Sequence, residues 1–338
     1  MKAIVCHRYG SPDVLECEEM EVPIAGDDEV LIKVRAASVN PLDGGSMKGR
    51  PYIVRLLTGL RKPKITRPGV DVAGQVKAVG RHVTQFKPGD EVFGVCISDP
   101  QASGTEVWSH RQGAFAEYVC APESMLAIKP DNVTFEEAAA VPVAAFTALQ
   151  GLRDKGQIQP GQKVLINGAS GGVGTIAVQI GKSFGAEVTG VCSTRNMDMV
   201  RSIGADYVID YTQEDFTKRG QRYDLIFDCV GNHSLSACRR VLGPEGICIL
   251  VGQLSGRGMI SILARLMAAL VLSRLVSQKL VMVLARPNKR DLTIMHELLK
   301  AGKVTPVIDK RYSLGEVPEA IRYLEEKHAR GKVVVTLE

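Results

Sequence analysis

The stretch KVLINGASGGVGTIAVQIGKSFGAEV, Lys163 to Val188, decides the fold. A strand-like run, KVLIN, leads into a glycine-rich loop, and the loop opens a helix. Val173, Ile176, Ala177, Ile180 and Phe184 fall on one helical face, and Gly185 stands where a C-cap belongs. Aligned on its last glycine, the loop reads Ala169-Ser170-Gly171-Gly172-Val173-Gly174, with Ala169 replacing the first glycine of a dinucleotide fingerprint. Gly171 is expected to let the backbone approach a pyrophosphate, and Gly174 to let the helix pack closely on the strand. The free N–H groups at such a helix start favour an anion. A glycine pattern alone is weak evidence. Strand, loop, amphipathic helix and second strand in this order predict a bound dinucleotide.

The second strand refines which one. An NAD site places an acidic residue at that strand's C-terminal end to hold the ribose hydroxyls. Here the end reads Cys192-Ser193-Thr194-Arg195, and Glu187 lies at the wrong end. Hydroxyls followed by a guanidinium suit a 2′-phosphate through charge-assisted hydrogen bonds, so NADPH is the expected cofactor. The alternative leaves Arg195 a solvated loop residue.

Around this unit, strands alternate with helices. KVLIN, EVTGVCS, DYVIDY, YDLIFDCVG and GICILVGQ predict a parallel sheet covered on both faces. Before it, EVLIKVRAASVN, VDVAGQVKAVG, DEVFGV and GAFAEYVCAP are β-branched or alternating runs punctuated by Pro and Gly, which predicts a compact β domain. Thr134 to Glu137 has capping-box spacing and opens an Ala-rich helix. Near the end, DLTIMHELLKAGKV and VPEAIRYLEEKHARGKVVVTLE give two helices and a closing strand.

Composition narrows the classes. With 338 residues, 45% of them hydrophobic, the chain is long enough for about two domains. The net charge of +5 is modest. The densest basic run, Arg55 to Arg67, lacks the aromatic interleaving of a single-strand binder, so no nucleic-acid partner is expected. It is either a solvated loop or a rim attracting an anionic substrate tail. The eight cysteines contain no C-x-x-C pair, and no cleavable signal precedes KAIVC, so reduced thiols and a cytoplasmic location are expected. Met259 to Ala285 is strongly apolar, but Arg265, Arg274 and Lys279 interrupt it below the roughly 18–20 residues of a membrane span. Buried or lid helices are expected there, with a peripheral membrane or partner-binding helix as the alternative.

On PGVDVAGQVKAVG, FKPGDEVFG, GAFAEYV, NGASGGVG and GADYVIDY, the whole chain resembles the medium-chain dehydrogenase/reductase superfamily, closest to its zinc-independent quinone oxidoreductase branch. The resemblance implies an α/β architecture: a GroES-like β-barrel catalytic domain and a Rossmann doubly wound parallel-sheet cofactor domain. It divides the chain into residues 1–126, 127–288 (cofactor domain) and 289–338, the last returning to the catalytic domain. Zinc relatives take a catalytic cysteine where ASVNPLD has Asn40, and a His-Glu pair where RPGVDVAG has Val70 and Asp71. Their third ligand precedes the cofactor domain, where this chain reads AVPVAAFTAL. Their four-cysteine structural lobe is absent; Cys96 stands alone near His110, which reads as an exposed loop residue. A catalytic zinc needs three protein ligands, so no metal is expected.

The resemblance also implies site residues. Asn40 is expected to donate to the nicotinamide ribose or the acceptor oxygen. Asp43, of the same N-x-x-D motif, either orients that loop or caps a helix. A tyrosine found two residues later in some relatives is Gly45 here, which leaves Tyr52 or solvent as proton source. Further cofactor contacts carry over to Thr147, Tyr211, Val230, Gly252, Leu284 and Lys332, the last reaching toward the 2′-phosphate. The leading expectation is an NADPH-dependent, zinc-independent reductase of quinones or α,β-unsaturated carbonyls, acting as a homodimer. An acyl-thioester enoyl reductase and a non-catalytic, membrane-associated NADPH-binding scaffold are the alternatives.

Overall fold

The computed structural model describes residues 1–49, 55, 59–64, 66–97, 113–251, 277–326 and 329–338. In chain order the strands are β1 (Lys2–Cys6), β2 (Leu15–Glu19), β3 (Glu29–Val39), β4 (Asp71–Val79), β5 (Glu91–Val95), β6 (Tyr118–Pro122) and β7 (Leu126–Ile128). Then come β8 (Lys163–Asn167), β9 (Glu187–Cys192), β10 (Tyr207–Asp210), β11 (Tyr223–Asp228), β12 (Leu242–Val251) and β13 (Lys279–Val283), and finally β14 (Ile308–Ser313) and β15 (Lys332–Thr336). They form two compact units. One comprises Met1–Val143, Arg286–Gly302 and Pro306–Glu338; the other Ala144–Ala285 and Lys303–Thr305.

The first unit is the GroES-like domain. Its larger sheet runs β14-β15-β3-β4-β5-β7, with β6 also on β3, and β1 pairs with β2. Alternation in β3 puts Val30, Ile32 and Val34 into a core shared with Val72, Val76, Val92, Leu126, Val333 and Val335. Each such side chain contributes about 1.5–3 kcal/mol by leaving water. Register then fixes the site. Ser38 lies opposite Asp71 across β3 and β4, and Val39 opposite Val333 across β3 and β15. Asn40 follows β3 directly and Lys332 opens β15, so four polar residues gather at one end of the sheet.

The second unit is a parallel sheet in the order β10-β9-β8-β11-β12-β13. β8 and β11 are buried almost throughout, as expected of strands covered on both faces. The order reverses between β8 and β11, and in open α/β sheets ligands bind at that crevice beyond the strands' C-terminal ends. The helix Gly172–Ser183 follows β8 and buries Ile176, Ala177 and Ile180. Gly185 ends it with φ +78°, which glycine adopts without a Cβ penalty. The Thr134 capping box is present: Glu137 N donates to Thr134 Oγ1 at 3.2 Å and Thr134 N to Glu137 Oε2 at 2.8 Å. Such a cap contributes about 1 kcal/mol.

One expectation needs correction. Of the apolar segment read as helical, residues 277–285 are described, and Lys279–Val283 is a strand parallel to β12, the last of its sheet among the described residues. A short apolar run does not separate helix from strand, and the open edge of β12 selects strand here. Residues 259–276 lie outside the described residues. No described helix is long and apolar enough to cross a membrane.

Candidate functional site: a dinucleotide loop and a buried polar cluster

The glycine loop has two kinds of glycine. A Cβ on Gly174 would stand 2.0 Å from the Gly168 carbonyl oxygen, so the closeness of helix and loop demands glycine there. A Cβ on Gly171 would meet only that same oxygen, at an ordinary 3.5 Å. The protein's own packing does not need Gly171 bare, whereas in dinucleotide loops a glycine at this place lets the backbone approach a pyrophosphate. Gly171 is the N-cap of the helix, with no side-chain cap and no acidic residue in the first turn, which leaves N–H groups open to an anion. Gly168, with φ +87°, makes the turn out of β8, a role the sequence reading did not assign. Ala169 is buried beneath the loop, while Ser170, Gly172 and Val173 are half-buried.

Two amides pin the loop. Asn167 Nδ2 donates to Asp228 Oδ1 and Asn232 Oδ1, both at 2.9 Å. Asp228 Oδ1 also accepts from the backbone of Val230 (3.1 Å) and Gly231 (2.8 Å), tying the turn after β11 to the loop. On the other side, Asn196 Nδ2 donates to Ser170 Oγ (3.1 Å) and Ser193 Oγ (3.2 Å). Asn167, Asn196, Asp228 and Asn232 were not foreseen as part of the site. The available signal was a polar residue ending an otherwise apolar parallel strand, as Asn167 and Asp228 do.

At the end of β9, Ser193 is half-buried and Arg195 is exposed. Thr194, also exposed, donates from Oγ1 to Asp210 Oδ2 at 2.5 Å, so its proton is already engaged. Thr212 donates to Asp210 Oδ1 from Oγ1 (2.8 Å) and N (2.9 Å). The Thr194 hydrogen bond, first among these, holds the Asp210 carboxyl below its usual range. Tyr211, Val230 and Leu284 are 57%, 50% and 57% exposed at the C-terminal ends of β10, β11 and β13. Thr147 is half-buried in the helix Pro142–Leu149, and Gly252 lies outside the described residues.

The first unit holds the second cluster. Asp71 Oδ2 accepts from Ser38 Oγ (2.6 Å), Asn40 Nδ2 (2.9 Å) and Lys332 Nζ (3.4 Å), and its Oδ1 accepts from Val143 N (2.9 Å). Lys332 Nζ donates to Asn40 Oδ1 at 2.7 Å, and Asn40 Nδ2 donates also to the Ser38 carbonyl at 3.3 Å. The Lys332 side chain, expected to reach toward a 2′-phosphate, is only 5% exposed and donates into this cluster, because the β3–β15 register sets it beside Asn40. Asn40 was expected to donate outward, yet both its amide protons are taken internally.

Asp43 is buried in the first turn of the helix Pro41–Lys48. Its Oδ2 accepts from Asn40 N (2.7 Å) and its Oδ1 from Gly69 N (3.1 Å), so it fastens the Asn40 loop to the Gly69 turn. Cys96 Sγ donates to the carbonyls of Gly69 (3.4 Å) and Val70 (3.3 Å), and burial pushes its thiol far up. Among the described residues, no group of three or more His, Cys, Asp or Glu could hold a metal.

Burial, with the Asp71 charge adding to it, raises the Asp43 carboxyl from 3.8 to about 7. The folded protein therefore binds this proton more tightly than the unfolded chain, and its stability falls as pH rises from about 4 to about 7. Asp43→Asn removes that dependence and turns an amide N–H toward a backbone N–H, costing about 1–3 kcal/mol. Urea unfolding from pH 4 to 8 measures it: the wild-type advantage over the variant shrinks as pH rises. An advantage constant across that range refutes the linkage.

An alcohol dehydrogenase GroES-like domain family matches residues 26–131, and a zinc-binding dehydrogenase family matches residues 203–335. Over 99% of its length the chain is 35% identical to the 2-methylene-furan-3-one reductase of Solanum lycopersicum, spanning 79% of that protein. The chain belongs to the medium-chain dehydrogenase/reductase family. A second relative in the family, the chloroplastic NADPH-dependent alkenal/one oxidoreductase of Arabidopsis thaliana, is 34% identical over 99% of this chain and 79% of its own. The solved quinone oxidoreductase from Coxiella burnetii superposes with a TM-score of 0.84 at 29% identity, covering 100% of this chain and 99% of that one. This medium-chain dehydrogenase/reductase is thus of the quinone oxidoreductase type, an enzyme of an NAD(P)H-dependent family.

Proposed function

We propose that the enzyme transfers hydride from NADPH to a quinone or an α,β-unsaturated carbonyl, without a metal. The observation that carries this reading is the cluster in the first unit. At the positions where zinc relatives carry the cysteine and the His-Glu pair, Val70 offers no lone pair, and Asn40 and Asp71 close on the ammonium of Lys332, which is itself a donor. Ammonium, carboxamide and carboxylate satisfy one another, whereas a zinc site needs three lone-pair donors and an open position. The loop glycines and the open helix N-terminus fit a dinucleotide, which supplies the hydride when bound.

Without a Lewis acid, a simple ketone leaves its developing alkoxide poorly stabilised. A conjugated acceptor spreads that charge, so positioning and fixed dipoles suffice. The names of the tomato and Arabidopsis relatives point to such acceptors. None of the eight cysteines is in a disulfide, which fits a reducing compartment, and we place the enzyme in the cytoplasm. The outer edge of β13, the last strand of its sheet among the described residues, fits a homodimer joined edge to edge.

The test is NADPH oxidation with excess chelator, on simple quinones and enones beside a saturated ketone and an alcohol. Turnover on the conjugated acceptors alone, unchanged by chelator, is expected. Chelator-sensitive alcohol oxidation with silence on enones overturns the reading. A coenzyme A thioester in the panel separates free enones from acyl carriers, and cofactor binding with no turnover on anything identifies a scaffold.

A further inference from the structure

We propose that Asn196 is a positioning residue that sets the enzyme's preference for a phosphorylated adenosine ribose, NADPH over NADH; this rests on the cofactor reading above. Asn196 closes the short turn Thr194–Asn196 after β9 and is 4% exposed. Its Nδ2 reaches Ser170 Oγ in the glycine loop at 3.1 Å and Ser193 Oγ at the strand end at 3.2 Å. One amide thus bridges the two segments that flank the adenosine end of a dinucleotide.

What the bridge does follows from hydroxyl chemistry. A serine hydroxyl has one proton and two lone pairs. Asn196 occupies a lone pair on each oxygen, and among the described residues neither proton has an acceptor. Both protons are therefore left to donate to a ligand. Ser193 stands at the N-cap of its turn, where serine normally turns its oxygen onto a backbone N–H, and it makes no such bond.

A second observation points the same way. Asn196 Oδ1 is buried with no hydrogen-bond partner. An orphaned acceptor costs stability, and sequences carry such violations mainly where function requires them. Two outward donors with Arg195 following suit a dianionic phosphate. The 2′-hydroxyl of NADH needs an acceptor instead, and the Asp210 carboxylate already accepts from Thr194 and Thr212.

Asn196→Asp reverses the polarity. Its carboxylate accepts both serine protons and sets a negative charge against the phosphate. Titration calorimetry with NADPH and with NADH reads binding without turnover. Wild type is expected to prefer NADPH; Asn196→Asp loses about a hundredfold in NADPH affinity while NADH binding changes less than about threefold. Asn196→Ala keeps the serines but frees them to rotate, and loses about tenfold. If Asn196→Asp does not fold, Ser170→Ala and Ser193→Ala decide, each losing about tenfold for NADPH alone.

A wild-type ratio of affinities retained in Asn196→Asp, or NADPH binding unchanged in both serine variants, overturns the proposal while the cofactor reading stands. Wild-type protein that binds neither nucleotide, or both alike, overturns the proposal together with the NADPH reading.

Discussion

Replacing Lys332 with methionine is expected to destabilise the fold by about 3–5 kcal/mol, because it leaves a buried carboxylate without its cation. Asp71 is fully buried, and the Lys332 ammonium is the one cation in contact with it among the described residues. Methionine fills much the same volume, so the loss reports charge rather than a cavity. The neutral donors Ser38, Asn40 and Val143 remain on Asp71, but they do not balance its charge. Asn40 loses the donor to its Oδ1 and with it the constraint on its carboxamide plane. Asp71→Asn alone leaves the ammonium unbalanced and costs a similar amount. Combined with Lys332→Met it removes both charges, so the double variant is expected to be more stable than the sum of the single losses by about 1–3 kcal/mol. Urea unfolding of the four proteins closes the cycle. Additive losses, or a Lys332→Met loss below about 1 kcal/mol, mean that the contact contributes no more than a surface pair.

Much of this fold was legible because local patterns and tertiary demands agree. KVLIN, EVTGVCS and YDLIFD are apolar runs that suit a strand covered on both faces, and they became β8, β9 and β11. The Thr134 box and Gly185 marked helix ends with residues whose chemistry is specific to those positions. Strands β2, β7, β13 and β14 escaped because they are short or lie at sheet edges, where pairing with a neighbour decides what pattern leaves open. The site divides in the same way. The glycine loop carries its reason within six residues. Lys332 does not, since its contact with Asn40 spans 292 positions and comes from the register of β15 on β3. A lysine one residue after a glycine and before three valines reads as a surface cation; only the sheet shows that it is buried. Asn196 is equally silent, since a polar residue in a three-residue turn looks like ordinary turn chemistry until its two serines are seen.

Gly174→Ala and Gly171→Ala, three positions apart, are expected to fail in different ways. At Gly174 the new methyl meets Gly168 O at 2.0 Å, Gly168 C at 2.8 Å and Ala169 Cα at 2.9 Å. All three are backbone atoms, so no rotamer change relieves the clash, and the loop must move by roughly 1 Å to restore van der Waals contact. Overpacking of this kind costs about 1–3 kcal/mol. The displaced backbone is also the loop that would carry the phosphates, so NADPH affinity falls by at least about a hundredfold alongside stability. At Gly171 the same methyl has room within the protein, and φ there is −85°, open to any residue. Stability should stay within about 0.5 kcal/mol of wild type. Affinity nonetheless drops by about tenfold or more, because the methyl takes the space of the approaching pyrophosphate. Thermal melts and NADPH titrations on the two variants separate the roles. A Gly171→Ala protein that binds NADPH as wild type does, or a Gly174→Ala protein that melts unchanged, contradicts the division of labour between the two glycines.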